Sequence, residues 1–501
     1  MPFARMPQQG PLRFSHTSAK IIKGFGLTNS HDIYYFCARL GKTGYMLNRI
    51  FMRSRKRPSP LKQQLLRLAA PIFVETLLIM MLGAVDTVML SRHSDNSVAA
   101  VGVVNQIIML TFLVFEVINL GTSVLCSQYI GARLDKKVTQ VVGISLMVNL
   151  VVGLAVSALL YFGCHTILRW MGLGPELLAD GVDYMRIVGA FAFFQAISMT
   201  LSAALRSADK AIYPMLVTVV VNILNIIGNY SLIFGKLGMP ELGVEGAAIS
   251  TAFSRGVAMV LLFVILLRKH IRRFPLAWFR PFPVQELRNL LKVGLPSAGE
   301  QLSYSSSQVV ITFFINMMGA EALAARTYCV NIIMFAYLFC IAIAQGGAIC
   351  IGHLVGQQRP HAAFILGKYV MKRAVGITLL LSTTIALAGP TILGFLTQNE
   401  HIIHMGTLVL MIDVVLEIGR PINIFATNAL RAVGDVNYPF YVGLVVMWSI
   451  AVGVGYLFGV HWGLALCGMW AAFSLDENIR GIIFIRRWYG MKWADKSFVR
   501  A

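Results

Sequence analysis

Residues 204–214 read ALRSADKAIYP and residues 429–439 read ALRAVGDVNYP, so the chain states nearly the same thing twice, 225 positions apart (214 to 439). The echo extends well beyond the motif. At the same offset and without a gap, Pro71 pairs with Pro296, Glu75 with Glu300, Val85 with Val310, Ala99-Ala100 with Ala324-Ala325, Met109 with Met334, Gly121 with Gly346 and Gly131 with Gly356. Further on, Ala252-Phe253-Ser254 matches Ala472-Phe473-Ser474 at an offset of 220, so the second copy carries a short deletion. Chance does not place so many Pro, Gly and Glu residues in register, and the chain reads as two copies of one unit.

The medium of that unit follows from composition. The chain has 501 residues, 57% hydrophobic and 13% charged, with a mean hydropathy of +0.71; an ordinary soluble domain carries about 25% charged residues. Between residues 65 and 485 we count twelve apolar runs separated by short polar breaks, each near the roughly 20 residues that cross about 30 Å of hydrocarbon. Their continuous apolar character favours helices over barrel strands, which alternate apolar and polar residues. The expected fold class is therefore all-α and polytopic, with twelve transmembrane helices. Six spans per copy is an even number, so both copies start from the same side and are related by an axis along the membrane normal. Such parallel repeats are an architecture of secondary transporters, in which the site lies between the halves. The two ALR…YP stretches then mark the same turn, after span 4 and after span 10. Arg206 and Arg431 are expected there at headgroup level, with Tyr-Pro starting the next span, where proline's missing N–H does no harm.

The expected divisions are a basic extension at 1–60, a first lobe at 61–270, a linker at 271–289, a second lobe at 290–488 and a tail at 489–501. The net charge of +21 is distributed rather than patched. Alternate loops hold it, at Arg133, Lys136 and Lys137, at Arg206 and Lys210, at Arg268, Lys269, Arg272, Arg273, Arg280 and Arg288, and at Arg359, Lys368, Arg373 and Arg431. By the positive-inside rule this is a topology signal that puts both termini in the cytoplasm, and it gives no reason to expect nucleic acid. The first sixty residues hold eleven Lys/Arg, no spanning run and no signal-peptide core. They read either as a disordered basic tail drawn to anionic lipid or as sequence upstream of a true start at Met46 or Met52; the basic lead MRSRKRPSPLKQQLLRLAAP favours the latter. Seven cysteines occur without a C-x-x-C pair or a His at ligand spacing, so no metal is expected.

The parallel six-helix lobes, the proline opening span 1 followed by GAVDTVML at 83–90, the loop GKLGMPELGVEGAAIS at 235–250 and the paired ALR…YP turns together resemble the multidrug and toxic compound extrusion (MATE) family over about residues 62–490. No single motif decides this; their order and spacing do. The resemblance implies V-shaped lobes and a cation-coupled antiporter, not an enzyme, that expels small organic compounds while H⁺ or Na⁺ runs inward, working as a monomer in the bacterial inner membrane with no bound cofactor.

Ionisable residues inside a span need a reason, since each costs about 2.5–3.5 kcal/mol on insertion scales. Glu75 and Asp86 are 11 residues apart, about 1,100° of helical rotation, which brings them back to within roughly 20° of one face and about 16 Å apart along the axis. That face should look into a lobe or the cleft, where a carboxyl group shielded from water can exchange a proton with each side in turn. Pro71, one turn before Glu75, is a candidate bend, as is Pro296 before Glu300. The resemblance adds that Asp86 stands where the family's helix 1 has its coupling aspartate. Span 5 presents Asn222, Asn225 and Asn229 within about 60° of one face. Asn225 matches the family's cation-site Asn, while Asn229 stands where one branch has an Asp, which removes an anionic ligand and tilts the expectation toward H⁺. Asp413, Glu417 and Arg420 share a face of span 10 and can neutralise one another. Glu300 could reach the same interior, with a substrate-binding and a structural ion-pair reading equally open. Another family branch uses a helix 7 Glu and a helix 10 Asp; here Glu300 comes one turn early and Arg420 takes roughly the place of the Asp. Glu116 has no counterpart, since position 341 is Ile. The 24 Met and 30 Phe residues suit helix packing first and a soft ligand wall second.

Two alternatives stand beside the antiporter. A flippase of a lipid-linked saccharide would want several cavity Arg for pyrophosphate, and the sequence offers Arg420 and Arg255. An intramembrane enzyme would need clustered nucleophiles or His ligands, and there is no G-x-S-x-G or H-E-x-x-H.

Overall fold

A computed structural model of the chain describes residues 60–271 and 274–499. The basic extension and the starts at Met46 and Met52 fall outside the described residues. Within them the chain forms twelve long helices, two short 3-10 helices (Leu276–Phe279 and Ala494–Lys496) and no strand. The first lobe comprises α1 (Pro60–Ser91), α2 (Asp95–Gly131), α3 (Asp135–Trp170), α4 in two pieces (Pro175–Ala190 and Ala192–Ser207), α5 (Ile212–Ile233) and α6 (Gly243–Lys269). The second comprises α7 (Val284–Met317), α8 (Ala320–Gly356), α9 (Pro360–Leu396), α10 (Glu400–Ala432), α11 (Asn437–His461) and α12 (Ala465–Tyr489). Nine are long and apolar enough to cross a membrane, and the α4 pair, bent by 46° at Phe191, makes a tenth. The other two are α7, with Glu286, Arg288, Lys292, Glu300 and a run of serines, and α12, with Asp476, Glu477 and Arg480; their polar content is where the site is built. Helices α1 and α7 run unbroken through Pro71 and Pro296. The second half of α11 winds as π-helix over Met447–Val454 and Leu457–His461, in the region of the second copy's deletion.

Each lobe has two apolar clusters with a polar layer between them. In the first lobe, the cluster of Val104, Leu160, Leu168 and Met185 is separated from that of Leu125, Tyr129, Leu201 and Leu205. The intervening layer is made of amides and hydroxyls, with Asn149 donating to Thr200 at 2.7 Å and to Asn119 at 3.2 Å. In the second lobe the same level is ionic, at Asp413, Glu417 and Arg420.

Helices α2 and α8, 37 residues each, are about 55 Å long and project beyond the hydrocarbon. Their C-terminal ends meet at the basic end of the molecule, where Gly131 lies against the backbone of His353 and Gly356 against that of Gln128, so a methyl group at either glycine would collide with the other helix. The two contacts are one contact seen twice, since 131 and 128 map onto 356 and 353. Small residues let these backbones approach closely. Among the described residues, every hydrogen bond between the lobes or to the linker and tail lies at this end. Gln128 Nε2 donates to the Ala432 carbonyl at 2.7 Å, and the equivalent His353 Nε2 lies 2.7 Å from the Ser207 carbonyl. The tail is part of the same seam: Trp493 is fully buried and stacks on Trp488, while Ser497 Oγ and Phe498 N–H donate to Gln128 Oε1.

Candidate functional site

The two copies share one ionic device. Arg206 Nη2 meets Glu75 Oε1 at 2.6 Å, and Arg431 Nη2 meets Glu300 Oε2 at 2.7 Å. Both partners of one pair are 225 residues from their counterparts (75 to 300, 206 to 431). The arginines of the ALR turns therefore point inward to neutralise the acids of α1 and α7, and do not rest at headgroup level as expected. This also separates Glu75 from Asp86. Although the two share a face, Glu75 is buried beside Arg206, and Asp86 has a different set of neighbours some 16 Å away along the helix.

Those neighbours are the α5 amides. Asn229 Nδ2 donates to Asp86 Oδ1 at 2.7 Å and to Asn225 Oδ1 at 3.0 Å, and Asn225 Nδ2 donates to Thr251 Oγ1 at 3.3 Å. Asn222 turns to the Leu78 carbonyl at 2.8 Å, tying α5 to α1. Asn229 Oδ1 is buried without a partner. Two oxygens, from Asp86 and Asn225, thus converge on the Asn229 amide nitrogen, with a single negative charge among the three side chains. Arg255, stacked on Phe112 at 5.5 Å, adds a cation to the same region of the lobe. Positions 311, 450 and 454, which correspond to Asp86, Asn225 and Asn229, are Ile, Ile and Val. This site exists in one lobe only.

The second lobe has its own unrepeated cluster. Arg420 Nη1 bonds Glu417 Oε1 at 2.6 Å, and its Nη2 lies 3.5 Å from Asp413 Oδ1, which also accepts from Trp470 Nε1 at 3.3 Å. The reading of the sequence missed the partner cluster on α12. There Arg480 bonds Asp476 and lies 3.3 Å from Glu477 Oε1, whose other oxygen accepts from Asn423 Nδ2 at 2.6 Å. The run LDENIR at 475–480 carried the signal, three charges inside the last span. Glu300 does not bond the Arg420 set, because Arg431 holds it.

All these groups except Asp413 and Glu417 line a cavity of about 650 Å³, a size that takes a small organic molecule. It is bounded by α7, α8, α10, α11 and α12, with Leu113, Glu116 and Leu120 of α2 as its wall in the first lobe. Four arginines line it, Arg326, Arg420, Arg431 and Arg480, where the sequence had suggested Arg420 and Arg255. Among the described residues no group of three His, Cys, Asp or Glu could hold a metal ion.

The comparisons with known proteins agree with the repeat. A sequence model described as MatE matches residues 71–231 and again 296–457, two stretches that begin 225 residues apart (71 to 296). The chain is 41% identical over 442 residues to an uncharacterized transporter, YisQ, of Bacillus subtilis (strain 168), covering 88% of this chain and 97% of that one. It is 26% identical over 447 residues to the probable multidrug resistance protein NorM of Thermotoga maritima, covering 87% and 94%. Among solved structures it is similar to a MATE crystallised in a bent conformation, with a TM-score of 0.80 at 22% identity over 86% of this chain and 96% of that one. It is also similar to an outward-facing multidrug resistance transporter of the MOP superfamily, with a TM-score of 0.77 at 23% identity over 86% and 97%. At such identities these structures speak for the fold.

Proposed function

The chain belongs to the MatE family of efflux transporters, and from that premise we propose that it is a proton-coupled antiporter of amphipathic organic compounds in a bacterial inner membrane, working by alternating access as a single chain. One observation carries the coupling half of this reading: Asp86 is a membrane acid that the second lobe does not repeat and, unlike the unrepeated Glu116, it is hydrogen-bonded to an α5 amide. Glu75 and Glu300 recur together with their arginines and so belong to the scaffold. Asp86 recurs as Ile311, and its hydrogen-bond partner Asn229 is a neutral amide that can serve the carboxylate or the carboxylic acid equally well. Taking up a proton there removes one charge and reverses the direction of one hydrogen bond, from Asn229 donating to Asp86, to Asp86 donating to the unpartnered Asn229 Oδ1. Helix α1 can shift against α5 by that exchange. A lone carboxylate beside two amides is a poor cage for Na⁺, which supports H⁺ as the coupling ion. The driving force suffices, since one charge moved through 100 mV supplies about 2.3 kcal/mol.

The cavity of the second lobe is the proposed substrate site, because its walls combine Tyr304, Tyr337, Trp470 and Phe473 with fixed charges. The test is transport by purified protein in vesicles energised by a proton gradient or by a sodium gradient. Asp86→Asn should abolish proton-driven export, while Glu75→Gln leaves the coupling stoichiometry unchanged and lowers only the amount of folded protein. Full proton-driven export by Asp86→Asn at normal expression would end the reading. Export driven by sodium alone would replace H⁺ with Na⁺.

A further inference from the structure

Four arginines line the cavity, and three of them are already neutralised: Arg431 by Glu300, Arg420 by Glu417 and Asp413, and Arg480 by Asp476 and Glu477. Arg326 differs from all of them. It projects from α8 toward α7, where Nη1 donates to Thr312 Oγ1 at 2.7 Å and Nη2 to Gln308 Oε1 at 3.2 Å. Both acceptors are neutral. Among the described residues no Asp or Glu forms an ion pair with Arg326, and its counterpart in the first lobe, position 101, is Val. A guanidinium carries five N–H donors in a rigid fork; two are spent on holding it in place and three remain. Beside it on α7 stands Tyr304, which lines the same cavity as Arg326, Arg420, Arg480 and Glu477. Glu116 of α2, which lines the same cavity, is likewise without an ion-pair partner among the described residues.

From this geometry we infer that Arg326 is the receptor for an oxyanion, carboxylate or phosphate, carried on the amphipathic body of the substrate. The inference rests on the reading of this cavity as the substrate site and adds to it the chemical class of the ligand. A fixed guanidinium with free donors forms charge-assisted, two-pronged hydrogen bonds to a planar or tetrahedral oxyanion. The same group repels a simple lipophilic cation, so it does not belong in a site built for one. The aromatic walls receive the apolar body, and Glu116 faces any amine the ligand carries.

Purified full-length protein in vesicles is assayed with three fluorescent probes: a lipophilic cationic dye, an amphipathic dye bearing a carboxylate, and a phosphate-headed lipid analogue. The variants are Arg326→Gln, Arg326→Lys and Tyr337→Trp, the last narrowing the same cavity away from Arg326's partners. We expect Arg326→Gln to reduce transport of an oxyanion-bearing probe at least 10-fold, Arg326→Lys to restore part of it, and the cationic dye to be unaffected or faster. Dependence of the carboxylate dye assigns the anion to a soluble compound; dependence of the lipid analogue alone assigns it to a headgroup. Equal losses for the cation and both anions make Arg326 a strut between α7 and α8 and overturn the assignment. So does indifference of both anionic probes to Arg326→Gln. If Tyr337→Trp alters no probe, the cavity is not the substrate site and the inference falls with it; if Tyr337→Trp slows transport but Arg326→Gln spares the anions, only the oxyanion assignment is lost.

Discussion

Glu75 and Asp86 sit on one face of one helix, yet the duplication sorts them. A charge that both lobes keep with its partner serves something both lobes need, which is to be folded; a charge that one lobe has replaced by Ile or Val serves a task only one lobe performs. Removing one member of a repeated pair leaves its partner buried and unneutralised. Glu75→Gln or Arg206→Gln should therefore cost about 3 kcal/mol, toward the low end for breaking a buried pair, because Arg206 keeps some exposure. The double variant should recover most of that loss. Thermal unfolding in detergent reads all three, and the same pattern should appear at Glu300 and Arg431. A double variant as unstable as the sum of the singles would mean the two residues are not partners. The amide triad of α5 was legible in the sequence, since helical spacing gathers Asn222, Asn225 and Asn229 on one face, whereas its pairing with Asp86 came from the family resemblance. The pairings of Arg206, Arg431 and Arg326 were not, because each reaches an acid or an amide on another helix, and nothing in linear spacing says which arginine finds a carboxylate.

Among the elements, α10 and α12 form the closest pair around the cavity, and a glycine decides how close. A methyl group at Gly419 would lie 2.6 Å from the Asn478 backbone, and Gly481 packs back onto the Gly419 carbonyl. Gly419 stands between Glu417 and Arg420, so the spacing that lets the helices touch also sets Arg420 and Arg480 on neighbouring walls. Gly419→Ala must push α12 outward and should lower both thermal stability and transport. Gly376→Ala on α9, where nothing lies within 4 Å, should be neutral or gain about 0.5–1 kcal/mol from helix propensity. Equal behaviour of the two variants would show that the α10–α12 distance is not set by that contact. Hydropathy found the helices but not their bends or ends. It could not see the break at Phe191, because residues 187–205 on either side of it form one continuous apolar stretch.

At the scale of the molecule, the hydrogen bonds that lace the two lobes together all lie, among the described residues, at the basic end, and the lacing has the symmetry of the repeat. Gln128 reaches the Ala432 carbonyl and His353 the Ser207 carbonyl; a carbonyl can only accept, so His353 carries its proton on Nε2 and its Nδ1 is free to accept from Gln64 Nε2 at 3.1 Å. The tail adds a third tie through Gln128 Oε1, and Gln358 Nε2 donates to the Val499 carbonyl. For a transporter that alternates, these are the bonds that break when the basic end opens. Each is worth about 0.5–1.5 kcal/mol net, so losing both latches, as in Gln128→Ala with His353→Ala, should move the ratio of open to closed forms by about 5- to 150-fold. Deleting the tail from Met491 should push in the same direction. Spin labels on Lys136 and Lys368, one exposed on each lobe near this end, would report the change as a new population at longer distance. An unaltered distance distribution in the latch variant and in the tail deletion would show that backbone packing of α2 on α8 holds the end shut unaided.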